Sequence, residues 1–168
     1  QVQAVLKKAE TLDIQMLLPL HGFVWREELG YLLGKYDLWS RYEPEVRGVM
    51  IAYASVYGGT ENAANVLACR LAEQGVQVKM FDVSVTPAPY VVSDAFKYSH
   101  LVFASATYNM GIFVTMEDLL HDIAAHALAD RRYALIENGT WSPASGKKMD
   151  ALLSPLKGWS AVEPVLTV

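Results

Sequence analysis

The residues of this chain best suited to chemistry are Ser55-Val56-Tyr57-Gly58-Gly59-Thr60. They follow the apolar run Met50–Ala54 and lead at once into the alanine-rich segment Glu61-Asn62-Ala63-Ala64. That is a strand, a tight loop and a helix. Such a junction aims backbone N–H groups and the positive end of a helix dipole at one point, which suits an anion. Ser55 and Thr60 add hydroxyl groups, while Gly58 and Gly59 allow a sharp turn and a close backbone approach. No Lys or Arg lies between Met50 and Cys69, so the lysine with which a Walker loop reaches the outer phosphates of a nucleoside triphosphate is missing. The G-x-G-x-x-G of dinucleotide folds is missing too, and without it Asp82 reads as a loop or cap residue rather than a ribose ligand. One terminal phosphate, held by amides and hydroxyls, is the guest these residues fit. A plain strand-to-helix turn capped by Thr60 is the competing reading.

Two further stretches carry unusual chemistry. Ala106-Thr107-Tyr108-Asn109-Met110-Gly111 offers hydroxyl, aromatic and amide groups beside a flexible glycine, and Asn138-Gly139-Thr140-Trp141-Ser142-Pro143 offers an amide and an indole. A phosphate cradle with flat side chains some distance away suits a singly phosphorylated planar aromatic molecule, and flavin mononucleotide (FMN) matches that description. For Trp141 alone, a half-buried core position is the alternative. No nucleophile–base pair is evident: Ser55 has no adjacent His and Cys69 falls mid-helix, so no residue is assigned a catalytic role. Glu61 and Glu137 suit capping or solvated roles.

The elements that position these stretches alternate from Gly48 onward, which indicates an α/β, doubly wound parallel sheet covered on both faces. Strands are expected at Val49–Ala54, Val76–Phe81, Leu101–Ser105, Tyr133–Glu137 and Val162–Val168, in the order 2-1-3-4-5. Helices are expected at Thr60–Gln74, near Val92–Tyr98, at Thr115–His126 and at Ala144–Leu153. The first keeps Ala64, Leu67, Ala68, Leu71 and Ala72 on one face. Each of the three chemical stretches follows a strand, so all three should meet at one edge of the sheet, where ligands of open α/β folds bind. Upstream, residues 1–10 read as an amphipathic helix, Leu12–Leu18 as strand-like, and residues 26–42 as helical, with a linker at Arg41–Arg47. This leading piece is too small for a core of its own, so residues 1–45 are expected to be the end of a larger domain and 46–168 a separate one.

Composition sets the class. Of 168 residues, 52% are hydrophobic and 19% charged, which marks a globular chain. A net charge of −4 with no basic stripe argues against nucleic acid as a main partner. No apolar stretch approaches the ~20 residues of a membrane span and the first residues lack a signal-peptide layout, so no membrane role and a cytoplasmic location are expected. The lone Cys69 excludes an internal disulfide and a cysteine metal cluster, and reads as a small buried apolar residue.

Taken together, Ser55-Val56-Tyr57-Gly58-Gly59-Thr60-Glu61, Ser105-Ala106-Thr107-Tyr108-Asn109 and Glu137-Asn138-Gly139-Thr140-Trp141-Ser142-Pro143 resemble the flavodoxin-like domain of flavodiiron proteins. Leu20-His21-Gly22-Phe23-Val24-Trp25-Arg26 and Tyr36-Asp37-Leu38-Trp39-Ser40 are similar to the end of the metallo-β-lactamase-like domain that precedes it in that family. The resemblance implies a flavodoxin-like fold and an FMN electron-transfer domain. It implies too a cytoplasmic oxidoreductase parent that reduces dioxygen to water or nitric oxide to nitrous oxide at a diiron centre. It places Ser55, Val56, Tyr57, Gly58, Gly59 and Thr60 around the phosphate. Ala106, Thr107, Tyr108, Asn109, Gly111, Asn138, Gly139 and Trp141 fall around the isoalloxazine. It further implies a redox partner such as rubredoxin or a reductase, and a head-to-tail homodimer in which each flavin faces the other subunit's iron.

His21 would match the family's last iron-binding histidine, in an intact parent only. One histidine cannot hold two irons, and His121 and His126, five apart, lie about 140° apart round a helix. Ala106 stands where the family has Pro, a change expected to loosen the ring-side loop. The chain reaches Val168 without the final helix of a flavodoxin-like fold, so it is expected to be a piece of a longer protein with one sheet face uncovered near the first strand. With an acidic surface and no cation in the cradle, a bound flavin should have a lowered, salt-sensitive potential. Two other readings are a stand-alone flavodoxin or FMN-dependent quinone reductase, and a non-catalytic interaction domain.

Overall fold

A computed structural model describes all of residues 1–168, and the chain forms two compact units, Gln1–Glu43 and Pro44–Val168. The first holds two helices, α1 (Val2–Ala9) and α2 (Leu29–Ser40), which pack against one another. The Gln3 amide ties them by donating to Asp37 Oδ1 at 2.9 Å and to Ser40 Oγ at 2.8 Å. The strand-like run Leu12–Leu18 forms no strand. It makes a single bridge, Leu17 to Trp25, because a strand needs a row of neighbours and this unit supplies none. None of residues 1–43 is fully buried, and Val2, Val5, Leu18, Leu20 and Phe23 are exposed.

The second unit is the expected open α/β sheet. Its elements are β1 (Val46–Ala54), α3 (Gly59–Glu73), β2 (Val78–Asp82), α4 (Ala88–Lys97), β3 (Tyr98–Tyr108), β4 (Gly111–Ile112), α5 (Val114–Ala125), β5 (Arg132–Asn138), α6 (Ser145–Leu153), β6 (Ser160–Ala161) and β7 (Leu166–Thr167). The parallel order is β2-β1-β3-β5, with β6 and β7 both on the outer side of β5. Those two short strands together stand where one fifth strand was expected. The ladder breaks between them at residues 162–165, where Pro164 has no N–H to give. Helix α4 starts earlier than the sequence suggested because Pro89 sits in its first turn, where proline is well tolerated.

The helices divide between the two faces. Met50, Ala52, Leu101, Phe103, Tyr133 and Leu135 point to one side, with Val91, Ala95, Met116, Leu120, Ile123 and Met149 of α4, α5 and α6 among the buried residues covering it. Val49, Ile51, Val102, Ala104 and Ile136 point to the other, where α3 packs with Ala64, Leu67, Ala68 and Leu71. Helix α3 alone covers that face. Beside it runs an apolar groove of about 340 Å³ lined by Leu67, Leu71, Val102, Ala134 and Ile136, with His100 and Arg132 also on its wall.

One charge lies deep on the crowded side. The Arg131 side chain, 1% exposed, donates to the carbonyls of Ala95, Phe96, Ala129 and Asp130 at 3.1, 2.7, 3.1 and 3.1 Å. It thereby closes the C-terminal end of α4, where the helix dipole favours a cation. Burial pulls its pKa down to about 10, which leaves it charged at neutral pH. Arg131→Met is expected to destabilise the fold by about 2–4 kcal/mol, since four carbonyls lose their donor in a buried setting; urea unfolding measures it.

His100 makes a second, pH-dependent contribution. Burial, joined by the Arg132 and Arg47 guanidinium groups, pushes its imidazole below the usual 6.5. The unfolded chain then binds a proton that the folded chain refuses, so stability falls as pH drops through 6.5 toward the folded value. The urea midpoint should decline between about pH 7 and pH 5, and His100→Gln should flatten that part of the decline.

Candidate functional site

Three strand ends set the site. Ala54, the last residue of β1, pairs with Ser105 of β3, and Ser105 pairs with Glu137 near the end of β5, so the chain leaves β1 and β5 at about one level on either side of β3, which runs on to Tyr108. The segments beyond them meet as expected. A side chain on Gly59 would come within 2.7 Å of the Asn138 amide nitrogen, and one on Gly139 within 3.1 Å of the Thr107 hydroxyl. The first segment therefore touches the third, and the third touches the second.

The first segment builds an anion seat. Ser55 Oγ accepts the Gly58 N–H at 3.0 Å, and Gly58, at φ 86°, turns the chain into α3. A residue with a Cβ reaches that conformation at a cost. Gly58 is the N-cap, so Thr60 is not the cap but lies inside the first turn. There it is 1% exposed, and its hydroxyl has no hydrogen-bond partner. A buried hydroxyl left unpaired is costly, and such groups normally find a partner. The first N–H groups of α3 lack partners within the helix as well. Val56 and Tyr57 stand outside, Tyr57 at 99% exposed. Beneath the loop Tyr53 is hydrogen-bonded to Glu61; burial, then the Glu61 and Asp82 carboxylates, raise its phenol above the usual 10.0.

The second segment is not a loop. Ala106, Thr107 and Tyr108 continue β3, with Ala106 in the ladder opposite Asn138. Thr107 and Tyr108 pair back on Ile112 and Gly111 of β4, and the chain reverses at Asn109 and Met110. Both have positive φ, 48° and 58°, the pattern of a type I′ turn. The glycine that such a turn prefers comes one place late, at Gly111. Met110 carries the left-handed conformation instead and is 59% exposed. The Tyr108 ring meets Phe113 edge-on at 5.8 Å.

Thr107 faces inward to protein. Its Oγ1 accepts the Ala144 and Ser145 N–H groups at 3.0 and 3.3 Å and lies 3.3 Å from Ser145 Oγ. Ser145 Oγ in turn donates to the Ser105 carbonyl at 3.0 Å, and Ser105 Oγ accepts the Phe113 N–H at 3.1 Å. Sequence reasoning missed Ser105 and Ser145, both fully buried; the signal was a serine ending an apolar strand and another opening a helix. In the third segment Asn138 lies over Gly59, Gly139 abuts Thr107 and Pro143, and Trp141 is 95% exposed rather than half-buried. Cys69 is exposed as well, not buried. His21, exposed in the first unit, has no cluster of metal-binding side chains about it, and no group of three or more His, Cys, Asp or Glu residues is arranged to hold a metal.

The arrangement fits a phosphorylated flat ligand on its own terms: an unpaired buried hydroxyl at a helix N-terminus, a glycine turn packed too closely on Asn138 for Gly59 to carry a side chain, and an exposed indole on a neighbouring segment. Residues 51–168 match the flavodoxin family model, and the chain belongs to that family. Flavodiiron proteins are its relatives. It superposes on the flavodiiron protein of Giardia intestinalis with a TM-score of 0.90 and 20% identity, over 99% of this chain and 42% of that one. With the rubredoxin oxygen:oxidoreductase of Desulfovibrio gigas the TM-score is 0.88 at 20% identity, again over 99% and 42%. A nitric oxide reductase of Moorella thermoacetica is 26% identical over 157 residues, 94% of this chain and 39% of that one. The chain thus spans less than half the length of these relatives. No helix is long and apolar enough to cross a membrane.

Thr107→Val keeps the side-chain volume and removes the acceptor that α6 leans on. The expected cost is about 1 kcal/mol. Amide hydrogen exchange at Ala144 and Ser145 should speed up selectively.

Proposed function

We propose that residues 46–168 bind FMN and carry electrons through it, as the flavin-bearing part of a flavodiiron oxidoreductase. The observation that carries this reading is the Thr60 hydroxyl, buried without a partner inside the first turn of α3. The phosphate would take that hydroxyl and the free N–H groups of the turn, with Ser55, Val56, Tyr57, Gly58 and Gly59 around it. The ring would lie toward Tyr108, Asn109, Asn138, Gly139 and Trp141. Ala106, Thr107 and Gly111 hold that side in place through backbone pairing and the contact with α6. Bound FMN supplies one- and two-electron chemistry. The protein orients it, and the flanking Glu61 and Asp82 carboxylates disfavour added negative charge.

Residues 1–45 are then the end of a metallo-β-lactamase-like domain, with His21 an iron ligand in the intact parent. That reading is supported by a unit without a buried residue and by relatives more than twice as long. The relatives' names support a parent that reduces dioxygen, nitric oxide or both. A rubredoxin or a reductase as electron donor belongs to the same proposal, the rubredoxin supported by the name of one relative. A head-to-tail homodimer and a cytoplasmic location complete the proposal.

The test is titration of the purified chain with FMN and with riboflavin, followed by quenching of flavin fluorescence. FMN should bind one to one and more tightly than riboflavin. Thr60→Val should lower FMN affinity about tenfold or more, leave riboflavin unchanged and leave the ligand-free fold intact. Equal affinity for the two flavins, or no binding, overturns the reading.

A further inference from the structure

Two consecutive residues at the end of β5 reach in opposite directions. Asn138 leans over Gly59 at the start of α3. Glu137, on the other face, places Oε2 2.9 Å from the Gly146 N–H in the first turn of α6, and Oε1 accepts the Thr167 hydroxyl of β7 at 2.9 Å. Helix α6 has no capping side chain of its own, since Ala144 occupies the N-cap. Its first three N–H groups are instead taken by Thr107 from β3 and by Glu137 from β5. A carboxylate on a helix N-terminus is a charge-assisted contact, stronger than a neutral one. The fit is close: a side chain on Gly146 would lie 2.9 Å from Glu137 Oε2.

We infer that Glu137 is a positioning residue for the ring-side wall of the site, a role that rests on the flavin reading above. The segment from Gly139 to Pro143 hangs between the end of β5 and the start of α6. Trp141, at 95% exposed, has little packing to fix it. The indole is therefore placed only as firmly as the two ends of its segment, and the Glu137 carboxylate joins those ends.

The experiment uses the full chain and the same two flavins. Glu137→Ala is expected to weaken FMN and riboflavin alike by about tenfold, leaving their ratio unchanged because the phosphate seat at α3 is untouched. The visible circular dichroism of bound FMN should change, which Thr60→Val should not cause. Glu137→Gln can still accept from Gly146 and pair with Thr167, and should restore both affinities to within about threefold. Should Glu137→Ala fail to fold, Glu137→Asp, one methylene shorter with the charge kept, is expected to lose several-fold toward both flavins. Variants that bind like the wild type, or that lose only the FMN advantage, overturn the inference alone. A wild type that binds neither flavin overturns the flavin reading and this one with it.

Discussion

Three parallel strands held in one register govern everything around the site. The Ala54–Ser105–Glu137 register obliges the chain to leave β1 and β5 at about the same level, with β3 running on between them. It also brings the N-termini of α3 and α6 to that edge, since each helix follows its strand after a short connection. Peptide dipoles of two helices then point the same way. Alternation along β5 does the rest, sending Glu137 to one helix and Asn138 to the other. A one-residue slip would exchange them and leave a carboxylate beside the glycine turn.

The two helix starts are treated differently. At α6, Thr107 and Glu137 occupy the N–H groups, and buried Ser105 and Ser145 are both bonded. At α3 the N-cap is a glycine with no side chain to offer, and the buried Thr60 hydroxyl waits unpaired. The Thr115 hydroxyl in the first turn of α5 is also buried and unpaired, so it is the glycine turn together with the open Thr60 hydroxyl that sets α3 apart.

Much of this could be read in the chain itself. The loop chemistry and the strand–helix alternation placed the sheet, its order and the meeting of the three segments. What escaped was mostly a matter of partners distant in sequence. Ala106–Gly111 read as a loop because the strand pairing that extends it depends on a turn at Asn109 and Met110, where the usual glycine is displaced. Thr107 looked like a ligand donor, and only the position of α6 shows its hydroxyl in use. The break at residues 162–165 turned on Pro164 within an apolar run, while Leu12–Leu18 had the composition of a strand and no neighbours. Local pattern named the elements; pairing across the fold assigned the side chains.

The gap in the outermost row has a bearing on how copies of this molecule could associate. An uninterrupted rim of free amides and carbonyls invites a visitor to zip on, and then another, without end. Here the rim is two short pieces, Ser160–Ala161 and Leu166–Thr167, with a proline between them. No stranger can run along it for more than a couple of residues before losing its grip, so the sheet is guarded at this margin against runaway stacking into fibres.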